Sequence, residues 1–451
     1  MLATLNDTTA ALQQGSTSSV ALTEAALARA QDPAGEGARV FTRVYADQAR
    51  AAAQASDTLR AAGLARSPID GLPVSIKDLF DVAGETTLAG SVARQGEPAA
   101  DAHAVVVQRL LAAGAVIIGR TNMVEFAYSG LGINPHYGTP LNPWDRATGR
   151  IPGGSSSGAA VSVTDGMALG AIGSDTGGSV RIPAALCGLA GFKPSAWRVS
   201  MAGVLPLSTS LDSIGPLAPT VRCCATLDAI LAGDEVAEWQ PTELDGLRLA
   251  VPTTLALDGM DAHVSQAFAD ALSRLSAAGA RIEEIEVPEF AQLAAINAKG
   301  GFTASEAWAW HRDLIARKAD RYDPRVVSRI RRGQEMSAAD YLDLLDAREA
   351  WVAAVEHRIA RYDALLLPTV PVAAPTVAEV TASDDAYYAA NGLILRNPTL
   401  INFLDGCAAS VPCHSPGSAP AGLMVAGANG ADRRILSISM AIEDLLGFPH
   451  P

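Results

Sequence analysis

The stretch GSDTGGSVRIPAALCG, residues Gly173–Gly188, decides how the rest of this chain is read. Its first half sets glycines around two small hydroxyl residues, Ser174 and Thr176. Ser179 then closes a Gly-Gly turn, with Arg181 two residues on and no histidine nearby. Immediately upstream, MALGAI (167–172) reads as a strand of small residues running into that turn. Further out, the pattern alternates. Residues 20–31 and 43–63 are rich in Ala, Leu, Gln and Arg with apolar residues at helical spacing, so helices are expected there. LPVSIKDLF (72–80) reads as a strand. AHAVVVQRLLAAG (102–114) reads as a helix stopped by Gly114, ahead of a buried strand from Val116 to Ile118. A short helix is expected over 159–166, and longer ones over 263–279 and 338–362. Strands are expected over 246–252, 281–288 and 362–371, and the chain closes with a strand and turn over 421–430 and a helix over 433–446. Helix–strand alternation of this kind points to an α/β fold.

Composition narrows the function. The chain has 451 residues, of which 49% are hydrophobic, enough for a deep core, and its formal charge is −14. At roughly 150 residues per domain the length would allow about three domains, but large single-core α/β enzymes also reach this size. A negative balance argues against a nucleic-acid partner, because phosphate binding needs clustered Lys and Arg. No run approaches the roughly 18 apolar residues needed to span a membrane. The opening MLATLNDTTAALQQG has no Lys or Arg ahead of its apolar residues, so no secretory signal is read and a cytoplasmic protein is expected. Five cysteines at irregular spacing (187, 223, 224, 407 and 413) make no disulfide framework. With neither CxxC nor HExxH present, no metal and no cofactor are expected.

Three segments concentrate polar chemistry: VSIKDLF with Lys77, IPGGSSSGAA with Ser155, Ser156 and Ser157, and GSDTGGSVRIP with Ser179. The second ends a loop, 130–158, dense in Gly, Pro, Asn and Ser, and a loop this long inside a compact domain is usually functional. Taken singly, each segment is bland: a lysine after an apolar run usually snorkels, and a Ser-Gly loop is usually a turn. Taken together and in this order, they resemble the amidase signature family. GAVIIGRTNMVEFA, GTPLNPW and LDSIGPLA strengthen the resemblance, which is close over about 71–220 and looser beyond, through YDALLLPTVP and the final strand–helix.

The resemblance implies a Ser–cis-Ser–Lys triad, with Ser179 as nucleophile, Ser155 as the bridging serine and Lys77 as general base. Serine is a poor nucleophile unless a base takes its proton, and lysine is such a base only when burial keeps it neutral. The apolar neighbours Val74, Ile76 and Phe80 suit that requirement. The resemblance further implies an oxyanion hole from backbone N–H groups of Thr176, Gly177 and Gly178. Asp175 and Arg181 are expected to hold the turn's shape. Met123, Tyr128 and Leu131 are candidate substrate-binding residues, and Phe126, Trp308 and Trp310 further candidates for the pocket wall.

The implied fold is one α/β/α domain over 1–451, with a central twisted mixed sheet covered by helices and a helical covering layer over about 288–362. The implied activity is hydrolysis of a small-molecule amide, carbamate (urethane) or ester through a serine acyl-enzyme, by a monomer or homodimer. Within the family the alternative is the glutamine-hydrolysing A subunit of a tRNA-dependent amidotransferase. The region 303–333 looks instead like the stand-alone amidases. Outside the family, GSSSG also fits a nucleophile elbow with Ser156, but the loop RATGRIPGG precedes it where a strand is required, and His414 is the only tempting partner. A phosphate-binding module would need a P-loop or a GxGxxG fingerprint, and neither is present.

Overall fold

The computed structural model of the chain describes residues 2–447. Its strands are β1 (Phe41–Val44), β2 (Pro73–Lys77), β3 (Val116–Thr121), β4 (Gly170–Asp175), β5 (Ala190–Lys193), β6 (Ser213–Ala218), β7 (Arg248–Pro252), β8 (Arg281–Ile285), β9 (Ala364–Pro368), β10 (Cys407–Pro412) and β11 (Gly422–Gly427). All eleven form one mixed sheet in the order β1-β3-β2-β4-β6-β5-β10-β11-β9-β7-β8. β3, β2 and β4 run parallel to one another, as do β9, β7 and β8, while the strands between pair antiparallel. This is a single α/β domain with helices flanking the sheet.

Central strands are buried along their whole length, which is why they read as runs of small and apolar residues. Their side chains still alternate between faces. In β9, Leu366 joins the cluster of Val74, Ile172 and Phe192, whereas Leu365 and Leu367 join that of Trp351 and Phe403. At one edge β8, RIEEI, is largely exposed and carries charges that discourage pairing with another chain.

Two differences from the sequence reading matter. Residues 43–63 are not helical throughout: Phe41–Val44 pair with β3, and the helix runs Ala46–Ala61. An unforeseen helix, Asp384–Phe403, contains Pro398 and packs over the Gly177–Gly178 turn. Residues 289–359 hold four α-helices, Glu289–Ile296, Gly301–Lys318, Pro324–Arg331 and Ala338–Ile359, and two short 3-10 helices, Ala319–Arg321 and Arg332–Glu335. No described helix is long and apolar enough to cross a membrane.

The sheet positions the site. β2 and β4 are parallel neighbours in register Ile76 with Ile172, so their C-terminal ends lie side by side and present Lys77 next to Gly173 and Ser174. The loop ending in Ser155–Ser157 drops between them. A Cβ on Gly173 would lie 2.6 Å from Ser156 Oγ, so only glycine admits that approach.

Candidate active site

Lys77 is the last residue of β2 and is fully buried. Its Nζ lies 2.7 Å from Ser155 Oγ and 2.8 Å from Ser174 Oγ. Burial pushes its pKa down to about 7, against the pull of the nearby Asp175 and Asp212 carboxylates. A neutral amine in this position donates to one hydroxyl and offers its lone pair to the other.

Ser155 sits in the irregular loop, and the peptide bond Gly154–Ser155 is cis. Backbone hydrogen bonds tie the loop down: Gly154 N–H donates to Gly130 O at 2.8 Å, Val124 N–H to Ser155 O at 3.1 Å, and Ser156 N–H to Ser179 O at 3.3 Å. That last bond joins the serine loop to the Ser179 turn. The hydroxyls of Ser155 and Ser179 are not directly hydrogen-bonded. Ser156 and Ser157 turn away, toward the carbonyls of Ser174 and Asn122.

The turn after β4 is held from beneath by a fully buried ion pair. Arg181 Nη2 and Nε donate to Asp175 Oδ1 at 2.9 Å and Oδ2 at 3.0 Å. Asn402, from the unforeseen helix, accepts from Arg181 at 2.6 Å and donates to Asp175 at 2.9 Å. Burial alone would raise the Asp175 pKa, but the Arg181 guanidinium overcomes this and holds the carboxyl well below the usual range. Asp175 also accepts the N–H groups of Gly178 (2.8 Å) and Val180 (3.1 Å).

Of the three expected oxyanion donors, Gly178 is therefore committed to Asp175. Thr176, Gly177 and Ser179 keep N–H groups that find no acceptor among the described residues. Gly178 is glycine for backbone reasons: its φ is +118° and a Cβ would meet Pro398 Cβ at 2.5 Å. Thr176 Oγ1 donates to Asp212 at 2.5 Å, and burial pushes that carboxyl up to about 6. Asp212 in turn accepts from the N–H groups of Leu207 and Ser208, and Ser208 Oγ reaches Glu306 on the Gly301–Lys318 helix at 2.6 Å.

Ser179 opens into a cavity of about 480 Å³ whose walls include Tyr128, Leu207, Leu293, Thr303, Leu395 and Phe403. Tyr128 lines it, following two left-handed residues, Phe126 (φ 50°) and Ala127 (φ 61°). Met123 and Leu131 do not line it. Both are fully buried, Leu131 among Ile151, Ile182 and Leu186, and Met123 in the main core. Phe126 packs instead on His311 (ring centroids 4.3 Å apart) and Tyr322 (5.1 Å), and Trp310 stacks edgewise on His311. Trp308 is not among the lining residues either. His414 lines a separate depression with Arg274 and Ser415. The sequence reading missed Ser174 as a partner of Lys77. It also missed Leu395, Arg396 and Thr399 on the Asp384–Phe403 helix, and Arg329 and Arg332, all of which line the cavity. Among the described residues no cluster of His, Cys, Asp or Glu is arranged to hold a metal ion.

Comparison with known proteins fits this geometry. A family model described as Amidase matches residues 21–436. A 2-amino-5-chloromuconic acid deaminase of Comamonas testosteroni is 37% identical over 406 residues, covering 89% of this chain and 87% of its own length. The A subunit of a glutamyl-tRNA(Gln) amidotransferase from Chloroflexus aurantiacus is 33% identical over 474 residues, covering 97% of this chain and 95% of its own. A crystal structure described as an amidase superposes with a TM-score of 0.88 at 32% identity, covering 99% and 100% of the two chains.

Proposed function

The chain belongs to the amidase family of hydrolases acting on C–N bonds, and from that premise we propose that it cleaves a small-molecule amide, or a related carbamate or ester, through an acyl-enzyme on Ser179. The observation that carries this reading is the contact of buried Lys77 with Ser155, 2.7 Å apart, in the loop whose Ser156 N–H is bonded to Ser179 O, while Ser179 itself lines the cavity.

In this mechanism neutral Lys77 accepts a proton from Ser155, which takes one from Ser179 as Ser179 Oγ adds to the carbonyl carbon. A Ser155–Ser179 hydrogen bond is required at that moment, and such bonds commonly tighten only once substrate is bound. Negative charge gathers on the carbonyl oxygen, where the free N–H groups of Gly177 and Ser179, with Thr176 beside them, stabilise it. One such donor typically contributes about 3–4 kcal/mol. The C–N bond then breaks, and the amine leaves with the proton returned from Lys77 through Ser155. Water repeats the sequence on the acyl-enzyme and releases the acid. Ser174 keeps the lysine aligned, and Asp175 with Arg181 keeps the turn in shape.

A second reading, glutamine hydrolysis in the manner of a tRNA-dependent amidotransferase's A chain, draws on the 33% identity to that protein over nearly the whole chain. One panel separates the two: short amides, anilides, aryl carbamates and glutamine, offered to the isolated chain and to Ser179→Ala. Hydrolysis of amides or carbamates, lost in the variant, supports the first reading. Glutamine as the sole substrate supports the second, and full activity in Ser179→Ala refutes both.

A further inference from the structure

Asp212 and Ser213 stand side by side where the loop 207–212 enters β6, and together they hold Thr176 at two points. Ser213 Oγ donates to Asp175 O at 2.8 Å, and Asn402 Nδ2 donates to the same oxygen at 3.1 Å. These bonds fix the plane of the Asp175–Thr176 peptide, which is trans, so its N–H points the opposite way from the tethered carbonyl. Asp212 Oδ1 accepts from Thr176 Oγ1 at 2.5 Å, which fixes the direction of the Thr176 Cβ. A residue whose preceding peptide and Cβ are both held has no freedom left in φ. The course of the chain into Gly177, whose N–H finds no acceptor among the described residues, is set by the same two points.

Asp212 is anchored in its turn. Its Oδ2 accepts from the N–H groups of Leu207 (2.9 Å) and Ser208 (3.1 Å) and closes the loop on itself. Glu306, on the Gly301–Lys318 helix, grips the same loop from the covering layer. It accepts from Ser208 Oγ at 2.6 Å, from Ser210 N–H at 3.0 Å and from Ser210 Oγ, and Tyr341 OH donates to it at 2.7 Å. Closing the loop occupies only Oδ2 of Asp212, so the bond from Thr176 to Oδ1 serves something outside the loop. Among the described residues no Lys, Arg or His forms an ion pair with Asp212, and its partners are all neutral donors. A hydroxyl has one proton, and that of Thr176 is committed to Asp212, so it is not donated to a substrate.

We propose that Asp212 is a positioning residue of the oxyanion site: through the Thr176 hydroxyl it aims the backbone N–H groups of Thr176 and Gly177 at the carbonyl oxygen of the substrate. The inference rests on the Ser179 reading above. Donors of this kind act because they are already in place when charge develops on the oxygen, and a small misplacement removes much of their effect. Asp212 touches neither substrate nor nucleophile, and its whole influence on the rate passes through one hydrogen bond.

Thr176→Val removes the hydroxyl at nearly constant shape, and Thr176→Ser keeps it. Both are assayed beside the wild type on p-nitrophenyl acetate and on the fastest substrate of the panel above. Thr176→Val is expected to lower kcat about 10–10²-fold, with KM and melting temperature close to those of the wild type. Thr176→Ser should recover most of the rate. The inflection of the pH–rate profile should not move in Thr176→Val, because Asp175 and Asp212, the carboxylates acting on Lys77, are both retained. Asp212→Ala should lose a similar factor in kcat, and the double variant with Thr176→Val should be no slower than the slower single one, since both act through one bond. An unchanged kcat in Thr176→Val, a loss carried by KM, a shifted inflection, or additive losses in the double variant would each overturn the proposal. If Asp212→Ala does not fold, the Thr176 variants decide: a slow valine variant rescued by serine supports the proposal, and a serine variant as slow as valine overturns it. If the wild type is labelled on Ser179 by a fluorophosphonate while the overturning results occur, the role of Asp212 falls and the nucleophile stands. If Ser179 is unlabelled and Ser179→Ala stays active, the underlying reading falls with it.

Discussion

Asp175 accepts the Gly178 N–H at 2.8 Å, and that bond settles which backbone donors of the turn are left for a substrate. It follows that the two adjacent glycines serve different ends. Gly178→Ala places a side chain at φ +118° and 2.5 Å from Pro398 Cβ, so the turn must distort. Gly177→Ala meets nothing tighter than the side-chain atoms Thr399 Oγ1, at 3.2 Å, and Leu395 Cδ2, at 3.6 Å. Gly178→Ala is expected to lower both thermal stability and kcat, the latter by about 10²-fold or more if one oxyanion donor is displaced. Gly177→Ala should keep its melting temperature and act mainly on the rate. Equal damage to stability in both variants would contradict this division.

Ser179 is expected to be the acylated residue. A fluorophosphonate should label it and leave Ser155, Ser156 and Ser157 unmodified, as peptide mapping would show. Label on Ser156 would revive the elbow reading, although Ser156 Oγ faces the Ser174 carbonyl.

If neutral Lys77 is the base, the rate must rise with pH and level off once the amine is deprotonated. With the pKa pushed down to about 7, the inflection belongs near neutrality, far below that of an exposed lysine. Lys77→Ala should lose several orders of magnitude, since a general base contributes about 10²–10⁴-fold and the relay through Ser155 fails with it. Lys77→Arg should be nearly as damaging, because arginine stays protonated. A near-wild-type rate in Lys77→Arg would remove lysine from the role of base.

The same group links stability to pH. Its folded-state pKa, about 7, lies below its unfolded value near 10.5. Below pH 7 both states are protonated and the fold bears the full cost of a buried ammonium. From 7 to 10 the unfolded state binds more protons, so stability rises with pH. Lys77→Met removes this dependence. Between pH 6 and 10 the wild type should gain on Lys77→Met by about 4 kcal/mol, measured by denaturant unfolding of both. A difference that stays flat with pH would show that Lys77 is not held neutral.

Lys77, Ser155 and Ser179 could be singled out because each sits in a distinctive short segment, and the strands around them are apolar runs of ordinary length. Other parts were hidden by residues that usually interrupt structure. The helix Asp384–Phe403 contains Asn391-Gly392 and Pro398, which read as breakers. Here Pro398 is seated against Gly178, and its carbonyl accepts from Arg181 at 3.0 Å. β6 contains Gly215-Pro216 and so reads as a turn, but a Cβ on Gly215 would lie 2.0 Å from Phe192 O, so close strand approach requires the glycine. The pocket walls were illegible for a simpler reason. Met123, Leu131 and Tyr128 are alike in pattern, and only the left-handed backbone at Phe126 and Ala127 decides that Tyr128 faces the cavity.

The helix Asp384–Phe403 touches both halves of the site. Asn402 and Pro398 brace the Ser179 turn, while Leu395, Arg396 and Thr399 form wall. Leu293, Asn297 and Arg332, across the cavity, carry no hydrogen bond to that turn. For anyone reshaping this enzyme by directed evolution, the two walls are therefore unequal. Diversity introduced at 293, 297 and 332 changes what is admitted while the cutting edge stays sharp. Diversity at 395–399 retunes admission and turnover together, so improved variants found there will carry coupled changes that have to be untangled.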